Sequence, residues 1–241
     1  MLDDSSKKSQ DVASSPKQRK LGIAGALFWG VLIFTAPAVV LAFIAPLVTQ
    51  LDISGNFKNF IAALIYELLL IAGVAAVLKF YKLDFKAIGF SDFNLKYLKT
   101  AGLAFLAYMP LSILFLGVMS LLFPINMEES QDVGFANLVG AEYLLTFFVL
   151  VILTPFAEEF LFRGLIFTGF RNKLPFWFAA VLVSVFFAAA HWQLNVAIDV
   201  FVMSMISCFI REKSGSLWPS IFLHVFKNSV AFLLLFVFKV S

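Results

Sequence analysis

The sequence predicts an all-α polytopic membrane protein of about seven transmembrane helices. Three observations carry that expectation. Of the 241 residues, 61% are hydrophobic and 31 are phenylalanine, and the mean hydropathy is +0.95. Only 14% are charged, against about 25% in an ordinary soluble domain. Apolar runs of about 18 residues or more recur along the chain, long enough as helices to cross the hydrocarbon core of a bilayer. The alternating strands of about ten residues that build a transmembrane barrel are not visible.

Residues 1–20, MLDDSSKKSQDVASSPKQRK, are polar and mixed in charge and read as a disordered cytoplasmic tail. The apolar run from Leu21 to about Val48 exceeds the apolar core of a signal peptide, so a retained first helix is expected. The APA at 36–38 nevertheless mimics a cleavage site. Seven spans follow, roughly 22–49, 58–80, 97–123, 141–170, 175–191, 194–211 and 217–238. The breaks are turn-forming or charged: DISGN, KLDFKAIGFSDFN, PINMEESQDVG, RNKLP, QLN and REKSGS. The chain divides into N-terminal transmembrane helices over 21–135 and a second membrane unit over 136–241. Internal repeats of the transporter kind are not convincing.

Lysine and arginine set the orientation. The tail holds five, the next loop only Lys58, the 79–99 region five, and the 124–140 loop none beside three acidic residues. Arg171 and Lys173 follow the fourth span, nothing basic the fifth, Arg211 and Lys213 the sixth, and Lys239 the seventh. Basic and non-basic loops alternate at every crossing, which seven spans with a cytoplasmic N-terminus require. The net charge of +3 therefore reports topology and not nucleic-acid binding. The single cysteine, Cys208, excludes a disulfide within the chain and reads as a small core residue.

Ionisable side chains inside the spans each need a reason, because one at mid-bilayer costs at least ~2.5–3.5 kcal/mol. They are Glu67, Glu158, Glu159, Arg163, His191, Asp199, His224 and Lys227, and the two histidines are the only ones in the chain. In TPFAEEFLFRG, Glu159 and Arg163 stand at i, i+4 and can pair on one helical face. Glu158 faces elsewhere and is left without a neutralising charge unless it meets water or binds a proton. In FFAAAHWQ, Phe187 and His191 form another i, i+4 pair. In SLWPSIFLHVFKNS, His224 and Asn228 form a third. The amide could bond its neighbour structurally, or both groups could aim donors at one substrate atom. Asp199 reads as a helix-to-helix hydrogen-bond partner and Glu67 as pairing with another span, while Lys227 is assigned no role.

Treating 155–171 and 175–191 as an antiparallel hairpin brings Glu158 and His191 to nearly the same depth. His224 falls short by roughly 10–15 Å at 1.5 Å per residue. A tilted or short fifth helix, or a 188–197 turn dipping into the protein, would close that gap, and Pro155 could supply a bend. Ser184, Ser220 and Ser229 lack the setting of a nucleophile, and Ser184 reads as a helix-packing residue.

EEFLFR, FAAAH and HVFKN, in this order and with GSLWPSIFLH leading into the last, resemble the CPBP family of CAAX proteases and bacteriocin-processing enzymes, also called the Abi family. The resemblance covers about residues 140–235, and every motif position is present. It implies an intramembrane endopeptidase, with 136–241 as a four-helix catalytic membrane domain in a bacterial cytoplasmic membrane. It further implies that Glu158 activates a water with the help of His191, and that His224 and Asn228 stabilise the oxyanion. Glu159 and Arg163 would hold the fourth helix in register. A carboxylate in low-dielectric surroundings is a stronger base near neutral pH.

Glu158, His191 and His224 are also the ligand types of a catalytic zinc, but the spacing is not H-E-x-x-H. A water held without metal is the favoured expectation. The expected partners are the bilayer and a peptide or lipidated-protein substrate. The rival readings are a non-proteolytic bacteriocin or toxin self-immunity or scaffold protein, and a channel or transporter lined by Asp199, Glu67 and Glu158.

Overall fold

In the computed structural model, which describes residues 21–126 and 131–239, helices account for all regular structure among the described residues. The predicted tail at 1–20 lies outside the described residues. Six helices are long and apolar enough to cross a membrane. They are α1 (Ile23–Thr49), α2 (Gly55–Tyr81), α3 (Lys96–Leu122), α4 (Glu142–Arg171), α6 (Leu194–Ser214) and α7 (Trp218–Val237). Between α4 and α6 lies α5 (Phe176–Ala189), of 14 residues. At 1.5 Å per residue it rises about 21 Å, short of the ~30 Å hydrocarbon core. The all-α polytopic architecture is as the sequence predicts, but the fifth span is a short helix that stops two residues before His191.

Side chains such as Phe43, Leu121 and Leu144 stand almost fully outside the bundle. That apolar surface would be an aggregation liability in water and suits a protein surrounded by lipid. The larger of two hydrophobic cores among the described residues draws on α1 and α2 (Ala26, Ile33, Leu70, Val74) as well as on α4 to α7 (Phe160, Leu165, Phe187, Met203, Leu223), and a smaller one gathers Phe135, Leu138, Val151, Phe232 and Phe236. Glycines let α1 approach α4 closely. A Cβ at Gly30 would stand 2.7 Å from Ile166 Cδ1, and one at Gly169 would meet the Cβ of Ala26.

Helix α4 is not uniformly α-helical. Phe148–Leu153 and Phe160–Ile166 are π-helical, and between them lies a short α segment, Thr154–Glu159. The Thr154 N–H donates five residues back to Val149 O. The widened register directly precedes Pro155, whose missing N–H and bulky ring disturb an ordinary α ladder. A bend expected from Pro155 thus takes the form of a change in helical register, and the two glutamates sit in the segment between the wide turns.

Polar contacts tie the helices around this segment. Arg171 donates to both oxygens of Glu212, at 3.1 and 2.7 Å, and to Leu174 O at 2.6 Å, closing the α4–α5 turn onto the end of α6. Asp199 on α6 accepts from Tyr108 and Ser112 on α3, the helix-to-helix bond expected of it. Ser220 donates to Ser207 O at 3.0 Å and Ser229 to Val225 O at 2.7 Å, while Ser184 is fully buried. The Ser220 bond joins α7 to α6, and the Ser229 bond stays within α7.

Candidate functional site

Glu159 and Arg163 are completely buried and paired at 2.9 Å, as their spacing predicts. The pair has a further member that the spacing does not reveal. His224, from α7, places Nδ1 3.1 Å from the same Glu159 oxygen. A carboxylate paired with arginine can only accept, so Nδ1 carries the proton. The other ring nitrogen, Nε2, then turns toward Glu158 and lies 3.7 Å from its Oε2. Adjacent glutamates thus face the two nitrogens of one imidazole. Glu159 holds the ring at Nδ1, and Glu158 stands across from Nε2. At 3.7 Å a direct hydrogen bond is out of reach, but one water can bridge the two atoms.

His191 lies just past the end of α5, in a tight turn where its N–H donates to Ala188 O at 3.0 Å. Its Nδ1 is 2.9 Å from Phe187 O. A carbonyl accepts only, so this nitrogen also bears hydrogen and Nε2 is left with a free lone pair. The ring of Phe187 links the constellation. Its centroid lies 5.0 Å from His191 and 5.9 Å from His224, and the Arg163 guanidinium carbon sits 4.4 Å from it. One phenylalanine thereby packs against both histidines and caps the buried cation. Trp192, next to His191, is 91% exposed and adopts a left-handed φ of 57°, a conformation non-glycine residues rarely hold without a local reason.

Asn228 donates from Nδ2 to Leu150 O at 2.8 Å, in the first π-helical stretch of α4. One amide hydrogen is therefore used structurally and the second is left for another acceptor. Of the two readings open for this amide, the structural bond is made, though to α4 and not to a neighbour on its own helix.

Glu158, His191, His224 and Asn228 all line one cavity of about 410 Å³. The short α5 and the turn after it bring the two histidines to that common cavity, one of the ways in which the expected gap in depth could close. Glu158 and His191 also line a second cavity of about 390 Å³, beside Phe34, Phe162 and Trp192. They stand where the two spaces meet. A groove of about 410 Å³ between α1 and α2, lined by Trp29, Ile33, Pro37 and Gly73, has no ionisable group in its walls.

Glu67 and Lys227, outside the expected catalytic set, also belong to the cavity wall. Glu67 on α2 accepts from Thr154 Oγ1 at 2.7 Å, so it pairs with another span as expected, and it lines the cavity as well. Lys227, given no role, lines the same cavity and lies 3.7 Å from Asp199. The signal for both was present, since each is an ionisable residue in a span. What the sequence lacks is the packing of α2 and α6 against α4 and α7.

Among the described residues no three His, Cys, Asp or Glu side chains are grouped as metal ligands. Glu158, His191 and His224 share a cavity, and each histidine has Nδ1 engaged by the protein and Nε2 left for another partner. They are not assembled as a three-ligand group.

Fold and cavity together define a multi-pass helical membrane protein whose bundle holds a cavity lined by glutamate and histidine. Residues 140–230 match the family model described as Rce1-like, the type II CAAX prenyl endopeptidases. All three motifs fall inside that stretch, and the resemblance to the CPBP family of CAAX proteases is borne out over it. An uncharacterized 24.3 kDa protein of Escherichia coli is 33% identical over 96 residues, covering 38% of this chain and 44% of that protein. A Bacillus subtilis protein named "Putative membrane peptidase YdiL" is 28% identical over 107 residues, covering 44% of this chain and 43% of that protein. The chain thus spans less than half the length of these curated relatives in the matched regions. No solved structure matches the chain significantly.

Proposed function

We propose that this protein is an intramembrane endopeptidase that hydrolyses a peptide bond of a membrane-associated, CAAX-like or precursor-peptide substrate. The observation that carries the reading is the convergence of Glu158, His191, His224 and Asn228 on one cavity within the bundle, in a stretch matching a prenyl-endopeptidase family. A water between Glu158 and the Nε2 atoms of the histidines gives its proton to the Glu158 carboxylate while its oxygen attacks the substrate carbonyl carbon. The negative charge that develops on the carbonyl oxygen is met by the remaining Asn228 N–H and by His224, whose imidazolium form is supported by Glu159 at Nδ1. The proton held by Glu158 then passes to the amine nitrogen as the C–N bond breaks, leaving a free amine and a carboxylic acid that loses its proton to solvent. Preorganised donors of this kind are worth ~2.7–4 kcal/mol each. The alternation of basic loops supports a cytoplasmic N-terminus.

The test uses purified protein in lipid nanodiscs and a fluorogenic farnesylated peptide ending in a CAAX-type sequence. Glu158→Gln and His191→Ala should each lower kcat/KM by about 10²-fold or more, with helix content and thermal midpoint retained. Full activity in both variants would end the peptidase reading.

A further inference from the structure

The α helical segment that carries Glu158 is six residues long, Thr154–Glu159, with π-helical turns on either side. Such π-helical turns are rare and concentrate at functional sites, and contacts from other helices bear on where Glu158 points. Two such contacts approach it from the side preceding the glutamates. Asn228 bonds Leu150 O at 2.8 Å, and Glu67 accepts the Thr154 hydroxyl at 2.7 Å. Thr154 is one turn before Glu158, at i, i+4, and both line the cavity, so the Glu67 bond acts on the face from which Glu158 projects. Glu67 is 5% exposed. Burying a carboxyl there for packing alone is costly, and its second oxygen has no hydrogen-bond partner in the protein. Glu67 also comes from α2, outside the residues 140–230 that match the family.

We propose that Glu67 is a positioning residue for Glu158, acting through its hydrogen bond with Thr154. The N-terminal helices are then part of the active site and not only a membrane anchor for it. This rests on the peptidase reading only where activity is the readout.

Two independent measurements test it. The first is cleavage of the farnesylated peptide by Glu67→Leu, Glu67→Gln, Thr154→Val and the double variant Glu67→Leu/Thr154→Val. A misplaced general base costs about 10–100-fold, so Glu67→Leu and Thr154→Val should each lower kcat by that factor with KM unchanged. Glu67→Gln, whose amide oxygen can accept the same bond, should stay near the parent, and the double variant should be no worse than the poorer single one. The second needs no substrate. It is the rate at which dicyclohexylcarbodiimide modifies Glu158, read by mass spectrometry of the modified peptide. That rate should change several-fold in Thr154→Val and Glu67→Leu and be kept in Glu67→Gln. Thr154→Val carries the test by itself if Glu67→Leu fails to insert. Additive losses, equal loss in Glu67→Gln and Glu67→Leu, or an unchanged Glu158 labelling rate in Thr154→Val would each overturn the assignment. Absence of cleavage by the parent, with the labelling pattern as expected, would remove the peptidase reading and leave the positioning role standing.

Discussion

Replacing Arg163 with methionine separates the contribution of the buried ion pair to folding from its contribution to the site. Both side chains of the pair are fully buried and 2.9 Å apart. Taking away the cation strands the Glu159 carboxylate, whose remaining contact is His224 Nδ1 at 3.1 Å. Breaking a buried pair in this way costs about 3–5 kcal/mol. Loss of the guanidinium over the Phe187 ring, 4.4 Å away, adds ~0.5–2 kcal/mol. Arg163→Met should therefore lower stability by about 3.5–7 kcal/mol. The double variant Glu159→Leu/Arg163→Met removes both charges and should recover most of that loss, because apolar replacement of a buried pair is often neutral. It should not recover cleavage, since the His224 ring has lost the acceptor that fixes its Nδ1 proton. The assay is denaturant unfolding in mixed micelles followed by tryptophan fluorescence, with cleavage of the farnesylated peptide run alongside. A single variant destabilised by under 1 kcal/mol would refute the argument. So would a double variant with full activity, which would show that Glu159 does not orient His224.

Two further outcomes follow from the same geometry. Asn228→Ala removes the bond to Leu150 O, worth ~1 kcal/mol of stability, and should also lower kcat by 10²–10³-fold if the second amide hydrogen serves the oxyanion; a loss of stability with kcat intact would confine Asn228 to a structural role. Because the two histidines and Glu158 are not assembled as a three-ligand group, prolonged treatment with a chelator should leave cleavage unchanged. Activity lost on chelation and restored by zinc, followed together with bound metal measured by atomic emission, would reverse that expectation.

Much of the site was legible in the sequence because helices repeat at a fixed angle and charges are rare in lipid. The Glu159–Arg163 pair follows from i, i+4 spacing alone, and the common depth of Glu158 and His191 from counting residues on either side of the α4–α5 turn. The helical count was close for the same reason, since apolar length and loop charge are properties of the chain itself. The end of α5 was harder to place, because FFAAAH stays apolar through the residues where the helix ends. The hydropathy pattern does not distinguish a 14-residue helix followed by a turn from a complete crossing.

The pattern of residues by itself determined that this is a helical membrane protein, that its unusual side chains are Glu158, Glu159, Arg163 and the two histidines, and which pairs on one helix could meet. Tertiary structure alone decided what each met on other helices. His224 reaches both glutamates, Phe187 packs on both histidines and the arginine, Asn228 bonds α4, and Glu67 of α2 holds Thr154. Those contacts depend on the rotation and depth at which helices far apart in the chain pack together. Close packing of side chains sets both, and the periodicity of a single helix contains no record of either.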